Sequence, residues 1–547
     1  MKKTRIQYLL GALIIAVLTF TACTEDNSMT VNNDPNLKSD TEIKSDDPVI
    51  IALSNIPGVH NVSKKYSDIV EYGDKGAEHT DSVYIFYIDQ PIDYKNASKG
   101  TYEHRCKLHF KGFDKNVVVY TNGYAMEPEC LPFNDLAVEY DANQLDIEHR
   151  YFGESLPENL EDLHMTYFDA DQQAHNIHNI VSTLRKELFK KGKWLSTGTS
   201  KCGTTTALQA YYSDLYGWKD FDVFVPFCAP FIKGITINDG SFCCEDNEPG
   251  AYLWSVCGNG YAKGTPEQIA YDHLLKIPYY VCTNEKIRQS AIKATTNADP
   301  AGYAKILKQF NEKSSYSTGD LTKDLAAFSL HMYFAALNQK FSSVQYSIWK
   351  SLVPDPEFLA SDKATDEDFI AFEKFYVMDE EALKKEIENL KGSRATEEET
   401  YWNFLVTLRK NSSAPYYIQA FKELGYFGID YSTVDGQYLT AQQCFNVNYQ
   451  NTIQAIYNGV YKQDKGKLMT DFREWVKTEK TMPIVFVYAH NDGWTGAGIT
   501  PDRTGGNSMI VSIVDGIATH NDYFRNDKYY EPKTRQAIVE AINKFIK

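Results

Sequence analysis

The order of local patterns along this chain predicts an α/β fold: a mostly parallel sheet in two parts, with a helical cap inserted between them. Three observations carry that expectation. Short runs rich in β-branched and aromatic residues recur at 83–88, 107–110, 117–120, 194–197 and 223–227, and return at 483–488 and 509–513. Segments with helical spacing separate them, as at Ile177, Ile180, Val181, Leu184 and Leu188 within 172–188, and again at 204–216 and 534–546. From about 234 to 479 strand signals are scarce, and long helical patterns (321–349, 366–390, 398–408, 441–461) take their place.

Ahead of the core, Lys2, Lys3 and Arg5 precede an apolar run at 8–22, the pattern of an export signal. The sequence Phe20-Thr21-Ala22-Cys23 resembles the lipobox of bacterial lipoproteins. That resemblance implies acyl chains on Cys23 and membrane contact through this anchor alone. Thr24, rather than an aspartate, follows the cysteine and points to the outer membrane. The next residues, to 47, are rich in Asp, Asn and Ser and lack apolar periodicity, so they read as a flexible tether. The expected division is a signal peptide at 1–22, a tether at 23–47, core at 48–240, cap at 241–478, and core again at 479–547.

Composition excludes several classes. With 547 residues, 43% hydrophobic and 14% aromatic, the chain can bury a large core and is not disordered over most of its length. Its 73 acidic and 56 basic side chains leave a net charge of −17, contrary to what a phosphate-tracking nucleic-acid binder needs. The absence of any 18-residue apolar run rules out a multi-span membrane protein. Export permits disulfides. Without Cys23 nine cysteines remain, an odd number, and no CxxC pair suggests a zinc site. His175 and His178 share a helix face without an evident third ligand. Neither a metal nor a cofactor is expected.

The chemistry centres on Gly198-Thr199-Ser200-Lys201-Cys202-Gly203, between a predicted strand and a predicted helix. A G-x-S-x-G sequence in that setting forms a nucleophile elbow, the mark of an α/β-hydrolase core. Gly198 fits the pattern; Cys202 stands where the second glycine belongs. In such folds the acid and then the histidine follow the serine. Asp492, just past the run at 483–488, and His520, past the run at 509–513, satisfy that order. Asp515 is a possible substitute acid, and His490 a possible pocket residue. Ser200 would attack a carbonyl carbon, His520 would take its proton, and Asp492 would orient the imidazole. The oxyanion donors would be the backbone N–H of Lys201 and that of Tyr124, in the loop after the third strand. The Lys201 side chain reads as structural or solvated.

A second motif adds to this. Glu148-His149-Arg150-Tyr151-Phe152-Gly153-Glu154-Ser155-Leu156-Pro157, together with the elbow and Asn491-Asp492-Gly493-Trp494, resembles two related groups of secreted serine peptidases. One is the prolyl carboxypeptidase and dipeptidyl peptidase family; the other is the bacterial tripeptidyl aminopeptidase family, serine peptidase family 37. Lys201, after the serine, favours the second. The resemblance covers roughly 80–240 and 480–547. It implies an exopeptidase that releases short peptides, tripeptides among them and often ending in proline, from N-termini, with the cap restricting access to chain ends. Ser200, Asp492 and His520 match the triad positions, whereas Thr199 and Cys202 stand where the family has glycines. Glu148 and Glu154 are either structural groups beneath the site or acids that read a substrate amine. An esterase on the same triad, and a binding lipoprotein that retains only the fold, remain the rival functions.

Overall fold

The computed structural model describes residues 46–65, 83–126, 134–157, 166–231, 278–298, 318–330, 356–365, 413–424, 438–440, 466–478, 482–490, 492–520 and 522–546, with a few single positions between them. The signal, Cys23 and the tether up to residue 45 lie outside the described residues, as does most of the proposed cap. In chain order the elements are α1 (Pro48–Ser54), β1 (Val59–Lys65), β2 (Val83–Pro91), β3 (Thr101–His109), β4 (Val117–Thr121), α2 (Asp135–Glu139) and β5 (Asn143–Ile147). There follow α3 (Ala170–Glu187), β6 (Trp194–Thr199), α4 (Lys201–Tyr216) and β7 (Val223–Phe227). After them come α5 (Glu285–Ala298), α6 (Ser413–Gln419), α7 (Lys467–Lys477), β8 (Ile484–Ala489), β9 (Ile510–Asp515) and α8 (Pro532–Ile546).

The strands form one sheet in the order β1-β2-β3-β5-β4-β6-β7-β8-β9. The first three strands pair antiparallel, and β3 pairs antiparallel with β5. From β5 onward every pairing is parallel. The fold is thus an α/β-hydrolase core, as the sequence led us to expect. The parallel strands bury both faces, and their side chains alternate between two apolar layers. Val117, Val119, Phe224, Ile484, Phe486 and Tyr488 pack with α1, α3, α4 and α7. Val118, Val223, Val225, Val485, Val487 and Ala489 pack on the other side with α2 and α8. Helix α7 falls within the range assigned to the cap, yet it places Leu468, Met469, Phe472 and Val476 in the first of these layers.

Elements α1 and β1 escaped the sequence reading. Strand β1 is an edge strand whose segment Val-His-Asn-Val-Ser-Lys-Lys exposes most of one face. Its register slips between His60 and Ser63, where Asn61 has a φ of 52°. Asp47, the last residue of the expected tether, is fixed: it caps α1 through Val49 N at 2.9 Å and takes bonds from Lys64 Nζ at 2.8 Å and the Tyr84 hydroxyl. Topology sets the functional edge. The carboxyl ends of β4, β6, β7, β8 and β9 all open on the same side of the sheet, where α/β folds carry their chemistry.

Candidate active site

Strand β6 ends at Thr199, α4 starts at Lys201, and Ser200 between them has φ 61° and ψ −126°. A non-glycine residue in that region stores roughly 1–3 kcal/mol of strain and needs its surroundings to hold it. Here the Ser200 N–H donates to Phe227 O at 2.9 Å, and its carbonyl accepts from Thr204 N at 2.9 Å. Two glycines allow the strand and helix to meet. A Cβ on Gly198 would lie 2.5 Å from Cys202 C, and one on Gly203 would lie 2.6 Å from Phe227 O. The close-packing glycine on the helix side is therefore Gly203, which leaves position 202 free to carry a side chain. The Cys202 sulfur is buried and accepts the Gly123 N–H at 3.1 Å.

Asp492, just past β8, is fully buried. One oxygen caps the following turn through Trp494 N at 3.0 Å, and the other accepts His520 Nδ1–H at 2.7 Å. His520 lies in the loop after β9 and is 7% exposed. Asp515 is not available as a substitute acid, because its oxygens accept the backbone N–H groups of Ile517, Ala518 and Glu531 and shape the loop that carries His520. His490 donates its backbone N–H to Asp515 O. Sequence reasoning missed Cys228. It follows β7 with a φ of 45°, and its thiol hydrogen-bonds Asp492; burial pushes the thiol pKa well up, so it stays a donor. Nothing in the local sequence signals that role. The donor atoms of Cys228, Asp492 and His520 lie within 4.8 Å of one another, the spacing of a three-ligand cation site, but here they bond among themselves.

The loop after β4 carries Gly123 and Tyr124 and rests on the start of α4. Lys201 is 1% exposed rather than solvated, and its ammonium donates to Gly123 O. It also sits 5.2 Å from the Tyr124 ring centre and 4.9 Å from that of Phe152. Burial lowers its pKa to about 7, against the opposing pull of Cys202 and Glu423. Tyr124 stacks on Tyr416 of α6 at 5.9 Å, so a segment from the middle of the chain covers this loop.

The charged motif is a brace. Glu148 is fully buried, and its carboxylate accepts Met126 N, Glu154 N, Ser155 N and the Ser155 hydroxyl. Burial raises its pKa to about 6 despite Arg105 and these donors. Fully buried, with three of these bonds on one oxygen and one on the other, Glu148 holds the loop at 126 and the turn at 153–155 together. Arg150 is also buried and donates to the carbonyls of Tyr167, Pro91 and Ile92, to Asn176 Oδ1, and to the Tyr102 and Tyr151 hydroxyls. Glu154 differs: its side chain is 56% exposed and pairs with Arg105 and the Tyr87 hydroxyl. His178 stacks on Trp218 at 4.1 Å and bonds Asp220, while His175 bonds Asp171 O within α3 and meets the Trp218 ring edge-on at 4.9 Å, so both histidines tie α3 to the segment after α4. Among the described residues Cys106, Cys202, Cys228 and Cys282 are free and buried.

Residues 71–242, which include the brace and the elbow, match the family model described as PS-10 peptidase S37. A prolyl tri/tetrapeptidyl aminopeptidase of Streptomyces mobaraensis is 32% identical over 141 residues, or 26% of this chain and 28% of that protein. The matched part therefore spans little more than a quarter of that relative's length. Among solved structures, a proline iminopeptidase of Mycobacterium smegmatis aligns over 84% of this chain and 99% of its own, at 9% identity and a TM-score of 0.31. Feruloyl esterase B of Aspergillus oryzae aligns over 90% of this chain and 88% of its own, at 10% identity and a TM-score of 0.33. Over residues 71–242 this chain is thus similar to the S37 peptidases.

Proposed function

We propose that this protein is a lipid-anchored serine peptidase that removes short peptides, tripeptides among them, from the N-termini of its substrates. The observation that carries the reading is the 2.7 Å bond between His520 Nδ1 and Asp492, on the same sheet edge as Ser200 in its strained elbow. That bond holds the imidazole in the tautomer whose Nε2 can accept the serine proton. Ser200 Oγ attacks the scissile carbonyl as His520 takes its proton; His520 then returns that proton to the leaving amine, and water releases the acyl group by the same route. The Lys201 and Tyr124 backbone N–H groups receive the oxyanion. Glu154, exposed beside the loop at 124–126, is the acid we assign to the substrate's terminal amine. The family match of residues 71–242 and the printed activity of the Streptomyces relative support peptide over ester substrates and favour proline at the cleavage position. Cys23 is assigned as the lipidated residue and the outer membrane as the location, on the signal alone.

The test uses the mature protein without Cys23. Matched peptides with free and with acetylated N-termini are incubated with it, and products are identified by mass. Short fragments released from free N-termini only are expected. Equal rates on blocked peptides would remove N-terminal recognition, and turnover of ester substrates alone would make the protein an esterase.

A further inference from the structure

We propose that Lys201 is a positioning residue: its buried ammonium locks the Gly123–Tyr124 peptide in the orientation that makes the Tyr124 N–H an oxyanion donor. The inference rests on the serine-peptidase reading above and extends it to a side chain with no evident place in the triad. Glycine at 123 leaves the adjoining peptide unusually free to rotate. Close contact explains why a glycine is needed there: a Cβ would lie 2.9 Å from Lys201 Cγ and 3.0 Å from Cys202 N. Two contacts from the first turn of α4 then remove the rotational freedom. The Cys202 sulfur accepts the Gly123 N–H at 3.1 Å, and the Lys201 ammonium donates to the Gly123 carbonyl. The peptide between 123 and 124 is trans, so its C=O and N–H point in opposite directions. Fixing the carbonyl on Lys201 thereby fixes the Tyr124 N–H on the other side.

The same ammonium lies against the Tyr124 and Phe152 rings, and no described carboxylate bonds it. Burying an ammonium on such terms is costly, and an apolar residue of similar length would serve packing better. Orientation of the loop accounts for the charge; packing does not.

The experiment compares Lys201→Met and Lys201→Gln with the native enzyme on one peptide substrate and on the aldehyde analogue of its acyl part, which forms a tetrahedral adduct. For the methionine variant kcat is expected to fall about 100-fold, the usual effect of losing one oxyanion donor. Aldehyde affinity should fall by a similar factor, with KM and the unfolding temperature little changed. Glutamine, shorter but still a donor, is expected to lose roughly tenfold in kcat and in aldehyde affinity. Unchanged kcat in Lys201→Met would overturn the proposal, as would a loss that falls equally on KM and aldehyde affinity. If the methionine variant does not fold, the same comparison on the glutamine variant decides. Ser200→Ala is measured beside them. Full activity there would refute the serine-peptidase reading itself, whereas an inactive Ser200→Ala beside an unimpaired Lys201→Met would refute only the role of Lys201.

Discussion

Gly198→Ala tests the elbow by pure sterics. The new Cβ would sit 2.5 Å from Cys202 C, 2.6 Å from Cys202 O and 2.8 Å from Cys202 Cβ. Two of these are backbone atoms of the first turn of α4, so no side-chain rotation relieves the overlap. Ordinary contact begins at 3.4 Å. Strand β6 and helix α4 must therefore separate by about 0.9 Å, close to the 1 Å displacement that costs a catalytic group on the order of 100-fold in rate. Overpacking of this kind also costs about 1–3 kcal/mol of stability. The assay is kcat/KM on a free N-terminal peptide together with thermal unfolding. Gly217→Ala, at the far end of the same helix, is the control: its φ is +72° and no atom lies within 4 Å of the added Cβ. It should lower the unfolding temperature through backbone strain and leave kcat/KM intact. A Gly198→Ala enzyme with native kcat/KM would refute the claim that this close approach sets the geometry of Ser200.

Other expectations follow from the same contacts. Asp492→Asn presents an amide to His520 and favours the wrong tautomer, so kcat should fall by about 10⁴-fold with the fold intact by circular dichroism. Arg150→Met leaves carbonyl and hydroxyl acceptors of the loop around 91–92, the turn at 167 and helix α3 without their donor; denaturant unfolding should show a loss of about 3 kcal/mol or more. Asp47 has its pKa lowered: burial acts against the shift, but Lys64, Tyr84 and the α1 backbone outweigh it. Its stabilisation is present above the unfolded value of 3.8 and is lost as pH falls through the lower folded value. Limited proteolysis of the native protein should release the N-terminal segment more readily below about pH 4, and Asp47→Asn should do so at neutral pH.

Much of the core was legible because the parallel strands are short, apolar and separated by helices of regular spacing. Residues 223–227 emerge as β7 without adjustment. The expected serine, acid and histidine each follow the carboxyl end of a parallel strand, and topology brings those ends to one sheet edge. What the sequence concealed lies in contacts between distant segments. The elbow motif looked defective at Cys202, since one-dimensional spacing cannot show that Gly203 makes the close approach to Phe227. The Lys201 side chain reads from sequence as structural or solvated without a choice between them, since nothing nearby announces the Tyr124 and Phe152 rings. Glu148 reads from sequence as either a structural group or an acid for a substrate amine, and only the folded chain shows its partners at Met126 and Ser155, and that of Arg150 at Asn176. Strand β1 was missed because a polar edge strand lacks the apolar alternation that marks the others.

Labelling of the native protein with a fluorophosphonate, followed by digestion and mass mapping, tests the central claim most directly. A single adduct on Ser200 is expected, absent in Ser200→Ala and formed at least about 100-fold more slowly when His520 is replaced. An adduct on another serine, or an unlabelled protein that still cleaves peptides, would contradict the assignment of Ser200 as the nucleophile.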